Sequence, residues 1–171
     1  MTFENILKLT ALVALLGAGV TQLRAEEAVS QQTLRVTPEV TLAGALAPEA
    51  IQTLAASDAL VVDLRGAEEG SAVEARAMAL AGVDYVHLPQ TAQPPAVGDV
   101  EFFRDLLAVN GGRPVVVHCR SGNRAGLLWG AYRLQQGAAL PDVLTEVESI
   151  ATSKVIRQAI ADYAQGSPEA D

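Results

Sequence analysis

The stretch Val115-Val116-Val117-His118-Cys119-Arg120-Ser121-Gly122-Asn123-Arg124-Ala125-Gly126 decides how this chain is read. An apolar run opened by Pro114 delivers a cysteine to a short polar loop, and a helical pattern begins at Arg124. A strand–loop–helix junction of this kind gathers backbone N–H groups and a helix N-terminus around one point, which favours an anion there. Such surroundings also stabilise a thiolate, the nucleophilic form of cysteine. Cys119 is the only cysteine in the chain. A lone buried cysteine is more often a small inert hydrophobe. Two arginines, a serine and a glycine within five residues favour chemistry over filler.

Each loop residue has an expected part. Cys119 is the candidate nucleophile. Arg124 opposes the helix dipole at the first turn, so it needs another reason to be there. Its planar fork of donors matches an oxyanion. Arg120, Ser121, Gly122 and Asn123 form the expected anion-binding loop, with Gly122 free to take a positive φ. Successive strand residues point to opposite faces, so His118 is expected to tune the loop from behind rather than to act as its base. Arg65 stands at the end of a neighbouring strand and is expected to support the anion site. Its commoner use would be a salt bridge to Glu68 or Glu69. No metal site is expected, since two histidines and one cysteine are too few and too scattered for zinc. No cofactor is implied.

Working outward from the loop, strand and helix patterns alternate. Ala59 to Leu64 and Pro114 to His118 are short continuous apolar runs, the pattern of strands buried on both faces. Val83 to Leu88 reads as a further strand and Thr33 to Val36 as an edge strand. Helices are expected over Glu49 to Ala56, with Pro48 at the first turn, and over Ser71 to Ala81, stopped by Gly82. Another spans Val100 to Val109 with Asp99 as N-cap, and another runs from Arg124 to Gln136 before Gly137. Pro141 to Ile150 and Thr152 to Ala164 complete the set. Pro89 to Gly98, with three prolines, is a loop. This alternation predicts an α/β fold of three layers, a mostly parallel central sheet flanked by helices. In such sheets ligands bind beyond the carboxyl ends of the strands, where Cys119 falls.

The first residues read as a signal peptide. Lys8 precedes the apolar stretch Leu9 to Val20, too short for a span of about 18 or more residues, and Ala25 is a cleavage point ahead of Glu26-Glu27. The expected organisation is therefore a signal at 1–25 and one domain at 26–171, periplasmic or secreted, with no stable membrane span after cleavage. Removing Lys8, Arg24 and Glu4 leaves 10 basic and 19 acidic residues. That balance excludes nucleic acid as the main partner and makes Arg120 and Arg124 a local basic island. The expected partner is a small anionic substrate.

His118-Cys119-Arg120-Ser121-Gly122-Asn123-Arg124 resembles the signature loop of the cysteine phosphatases, the tyrosine and dual-specificity kinds. The nearest likeness is to the bacterial beta-lactamase-hydrolase-like, phosphatase-like family. Val61 to Arg65 is similar to the strand ending in "NLR" of those proteins, Tyr85 to Pro89 to their next strand, and Leu127 to Leu134 to the helix after the loop. The resemblance implies a cysteine phosphatase-like fold, a thiolate attacking a phosphate monoester, an arginine clamping its oxygens, and a cysteinyl-phosphate resolved by water. Four residues separate Cys119 from Arg124 where the tyrosine-phosphatase signature has five, and Ala125 stands where a hydroxyl residue usually follows. Residues 90–95 contain no acid to protonate a leaving group, and Asp99, the nearest, is better explained as a helix cap.

A loop with four intervening residues is also the pattern of rhodanese-like sulfurtransferases. Asp63-Leu64-Arg65 followed by Glu68-Glu69 is similar to an element of theirs. That resemblance implies sulfane-sulfur transfer through a Cys119 persulfide, with no acid required. A third reading keeps the fold as a non-catalytic anion- or partner-binding module. The phosphatase reading ranks first on the extent of the resemblance.

Overall fold

The computed structural model describes residues 30 and 32–166. The signal segment expected at 1–25 lies outside the described residues. Five strands form one sheet: β1 (Thr33–Arg35), β2 (Val40–Ala43), β3 (Leu60–Asp63), β4 (Asp84–His87) and β5 (Val115–His118). Six α-helices accompany them among the described residues: α1 (Ala50–Ala56), α2 (Ser71–Ala81), α3 (Val97–Val109), α4 (Asn123–Gln135), α5 (Leu140–Glu146) and α6 (Lys154–Gly166). The spatial order is β1-β2-β5-β3-β4, with only β1 antiparallel to its neighbour. The expected three-layer α/β architecture is the observed one.

Period-two alternation along the strands sorts their side chains into two cores. Val40, Leu42, Leu60, Val62, Val115 and Val117 face α3, α4, α5 and α6. Val61 and Val116 face α1 and α2, with Leu54 and Met78. Both faces are covered, which is why β3 and β5 read as unbroken apolar runs. Leu42, Val62 and Val117 have no exposed surface, and each contributes about 1.5–3 kcal/mol from burial. Trp129 and Tyr132 pack as expected, their rings 5.2 Å apart, and Phe103 meets Tyr132 edge-on at 5.7 Å. No helix among the described residues is long and apolar enough to cross a membrane.

Several local expectations are corrected. Val40–Ala43 forms β2, a buried strand paired on both sides, yet its four residues carry no long apolar run to announce it. The helix expected from Val100 starts at Val97, with Ala96 as its N-cap. Asp99 therefore sits inside the first turn, where a carboxylate suits the dipole, and its Oδ2 accepts a bond from Gln90 Nε2 at 2.9 Å. Pro48 lies in the turn before α1, which begins at Ala50. The helix expected to reach Ile150 ends at Glu146. The segment after it folds back so that Ile150 and Ala151 pack onto the glycines of α4 and its loop. Helix α6 starts at Lys154 rather than Thr152; the carbonyl of Ser153 accepts from Arg157 N–H at 3.0 Å, and its N–H donates to Asn123 Oδ1 at 2.9 Å.

Candidate active site

The site is built at the carboxyl end of the sheet, where β5 passes through four loop residues into α4. The loop is fastened on both sides. Cys119 N–H donates to Ala43 O at 3.3 Å, Ala45 N–H donates to Arg120 O at 3.1 Å, and Ser121 bridges Gly44. Gly122 takes φ +79°, and a Cβ there would lie 2.4 Å from Ile150 Cδ1. Left-handed backbone and contact with a neighbouring segment both demand glycine at this position. Asn123 Nδ2 donates to Ser121 Oγ at 3.2 Å while its Oδ1 holds Ser153, so one side chain ties the loop to the start of α6.

Cys119 belongs to the core that faces α3 to α6 and has no exposed surface. His118, one residue earlier, is also fully buried but points to the other face, as alternation requires. Its Nε2 lies 2.8 Å from Glu74 Oε1 and 3.6 Å from Asp63 Oδ1. Neither ring nitrogen has a partner in hydrogen-bond geometry among the described residues. His118 thus stands behind the loop and does not reach its side chains.

Arg65 is corrected more sharply. Its guanidinium engages Asp63, with Nη2 2.8 Å from Oδ2, and Glu74 Oε1, also at 2.8 Å. Its ion-pair partners are not the side chains of Glu68 and Glu69; it stands with His118 behind the loop, and its Nη1 donates to the backbone carbonyl of Glu69 at 3.4 Å. Tyr85 donates to Asp63 as well. Asp63, Glu74 and His118 come close enough to resemble a metal-binding group. The cation those carboxylates hold is Arg65.

The carboxylate that sequence reasoning misassigned is Glu69. Arg124 Nη1 donates to Glu69 Oε2 and Nη2 to Oε1, each at 2.7 Å, a bidentate pair. Nη1 also meets the carbonyls of Leu64 at 3.2 Å and Gln90 at 3.3 Å. A guanidinium has five N–H donors; Nη1 and one Nη2–H are engaged by Glu69 and the two carbonyls, and Arg124 also hydrogen-bonds Cys119. Glu69 raises the pKa of Arg124, burial lowers it, and the nearby charge of Cys119 raises it again, with a net upward shift. The Arg124 hydrogen bond in turn holds Glu69 at about 2, helped by the Gly66 N–H. The one sequence clue was Glu69 itself, an acid a few residues past the strand beside β5.

Over the loop opens a cleft of about 410 Å³, lined by Glu69, Thr91, Ala92, Ser121, Asn123, Arg124, Ser153 and Ile156. Cys119 is not itself in that lining, but it contacts Arg124, which is, so a thiol at a strand end, an oriented guanidinium and a helix N-terminus belong to one loop. That set can bind a tetrahedral oxyanion and attack it.

Comparison with known proteins agrees with this architecture. The family model for the phosphatase-like domain of beta-lactamase hydrolase-like protein matches residues 31–138. A DUF442 protein of Shewanella putrefaciens CN-32 classed with the phosphatases superposes with a TM-score of 0.63 at 22% identity, over 85% of this chain and 96% of its own. A protein of Neisseria meningitidis z2491, classed the same way, gives 0.62 at 24% identity, over 76% and 96%. TpbA of P. aeruginosa in complex with pTyr gives 0.61 at 21%, over 80% and 84%. At these identities the likeness is one of fold. No curated protein matches the chain.

Proposed function

The chain belongs to the phosphatase-like domain family of beta-lactamase hydrolase-like proteins, and from that premise we propose that it is a cysteine-dependent phosphatase. The observation that carries the reading is the Arg124 guanidinium, held by Glu69 in a bidentate pair and set against Cys119. In the first step Cys119 Sγ attacks phosphorus, the S–P bond forms, and the bond to the leaving oxygen breaks with its electron pair. Arg124 and the N–H groups of the loop from Arg120 to Asn123 hold the three other oxygens as charge builds on them. In the second step water attacks the cysteinyl-phosphate, the S–P bond breaks, and thiolate and inorganic phosphate are released. TpbA, which shares the fold, is seen with pTyr, a phosphate monoester of the class proposed here.

The four-residue spacing between Cys119 and Arg124 favours one second reading, sulfur transfer. Hydrolysis of phenyl phosphate that disappears in Cys119→Ser supports the phosphatase. A persulfide on Cys119 after incubation with thiosulfate, seen by intact mass without phosphate release, would replace it with sulfur transfer. The apolar stretch Leu9 to Val20 supports placing the enzyme in the periplasm or outside the cell.

A further inference from the structure

The side chain of Asn123 faces one way for a definite reason. The backbone N–H of Ser153 reaches it at 2.9 Å. A backbone N–H can only donate, so the atom it meets is the amide oxygen. The amide nitrogen is thereby turned to Ser121 Oγ, to which it donates at 3.2 Å. Ser121 Oγ accepts in that bond, so its own proton points elsewhere. Among the described residues no acceptor takes that proton.

Ser121 lines the cleft together with Arg124. Acceptors around them are already occupied. Both Glu69 oxygens accept from Arg124, Asn123 Oδ1 accepts from Ser153, and Thr91 Oγ1 accepts from the N–H of Gln93 at 3.1 Å. Such a lining suits a ligand made of acceptors, and the oxygens of a phosphate dianion are that. Ala125, buried after Arg124, offers no hydroxyl. Between Cys119 and Arg124 the one hydroxyl is that of Ser121.

Resting on the phosphatase reading above, we propose that the Ser121 hydroxyl donates to an oxygen of the bound phosphate group, and that Asn123 is the positioning residue that keeps its proton turned to the cleft. The donors then run in one direction, from Ser153 N–H to Asn123, from Asn123 to Ser121, and from Ser121 to the anion. Bonds aligned head to tail polarise one another, so each strengthens the next. The last of them ends on a charged oxygen, where a hydrogen bond is strongest. The segment before α6 thus takes part in anion binding through two side chains of the loop.

Kinetics on phenyl phosphate test this in Ser121→Ala, Ser121→Thr, Asn123→Asp and the double variant Ser121→Ala/Asn123→Asp. In Ser121→Ala, kcat/KM should fall roughly tenfold or more, the scale of a lost hydrogen bond to a charged group. Ser121→Thr returns the hydroxyl and should recover most of that loss. Aspartate at 123 still accepts from Ser153 but cannot donate to Ser121, so it takes the Ser121 proton for itself. Asn123→Asp should therefore cost about tenfold more in the native chain than in Ser121→Ala. The added charge is common to both arms, and only the first has a hydroxyl to lose. A loss under about twofold in Ser121→Ala, threonine no better than alanine, or an equal cost of Asn123→Asp in both arms overturns the assignment and leaves the phosphatase standing. No hydrolysis by the native chain removes both.

Discussion

Glu69 and Arg124 meet edge to edge, Oε1 2.7 Å from Nη2 and Oε2 2.7 Å from Nη1, across 55 residues of sequence. The pair turns a long flexible side chain into a fixed fork. Glu69→Gln keeps the shape but removes the charge and one acceptor. A charge-assisted bond is worth about 1.5–3 kcal/mol, so kcat/KM for phenyl phosphate should drop roughly ten- to a hundredfold. Steady-state kinetics decide it, and a loss under about twofold would mean that the carbonyls of Leu64 and Gln90 suffice to orient Arg124.

The same pair sets an acid limit. The Arg124 and Gly66 hydrogen bonds lower Glu69 from 4.5 to about 2. A carboxylate depressed in the fold contributes above its unfolded value and loses that contribution as pH falls through the folded one. The clamp should therefore persist above pH 4.5 and open as pH falls toward about 2. An NMR titration of the Glu69 carboxyl would show it, and a midpoint near 4.5 would contradict it.

Behind the loop, Asp63 follows the same sign for a different reason. Burial raises its pKa, and hydrogen bonds from Arg65 and Tyr85 more than reverse this, leaving about 2 against 3.8. Stability should decline as pH falls from about 4 to about 2. Asp63→Asn leaves Arg65 with Glu74 alone and should cost about 1.5–3 kcal/mol, the scale of a charged hydrogen bond, in urea denaturation at neutral pH. It should also remove that part of the acid dependence.

Gly122→Ala should misplace the loop. The left-handed backbone alone costs about 1–3 kcal/mol for a non-glycine residue, and the new methyl would fall 2.4 Å from Ile150 Cδ1. Adding Ile150→Ala removes the obstacle but not the backbone strain. Thermal melts of the two single variants and the double should then show partial recovery; no recovery would place the whole cost in the backbone.

Arg124→Lys retains charge and loses the planar fork. Turnover of phenyl phosphate should fall by about 10² or more, with the fold intact by circular dichroism. Activity near that of the native chain would reduce Arg124 to a point charge.

Much of this molecule was legible locally. Ser71–Ala81 begins and ends as its composition and Gly82 predict, and β3, β4 and β5 fall within the expected runs. Those elements are governed by periodicity and by glycine and proline punctuation, all within a dozen residues. Val40–Ala43 escaped because a four-residue strand owes its stability to partners on both sides, not to its own pattern. The pairing of Arg65 was misread for a related reason. Nearness in sequence suggested Glu68 or Glu69, whereas the fold supplied Asp63 and Glu74.

By itself the sequence determined the centre of this protein: a cysteine delivered by an apolar strand to a polar, glycine-containing loop at a helix start. Hydropathy, chirality at glycine and the helix dipole act over a few residues, and they suffice for that. What closes around the cysteine was decided only by tertiary structure. The sheet order sets β3 beside β5, with Asp63 in register with His118. Residues just beyond the two strands therefore meet, and Glu69 finds Arg124. Residues 55 apart in the chain become bonded neighbours because two buried strands pair, and no local pattern encodes which strands those will be.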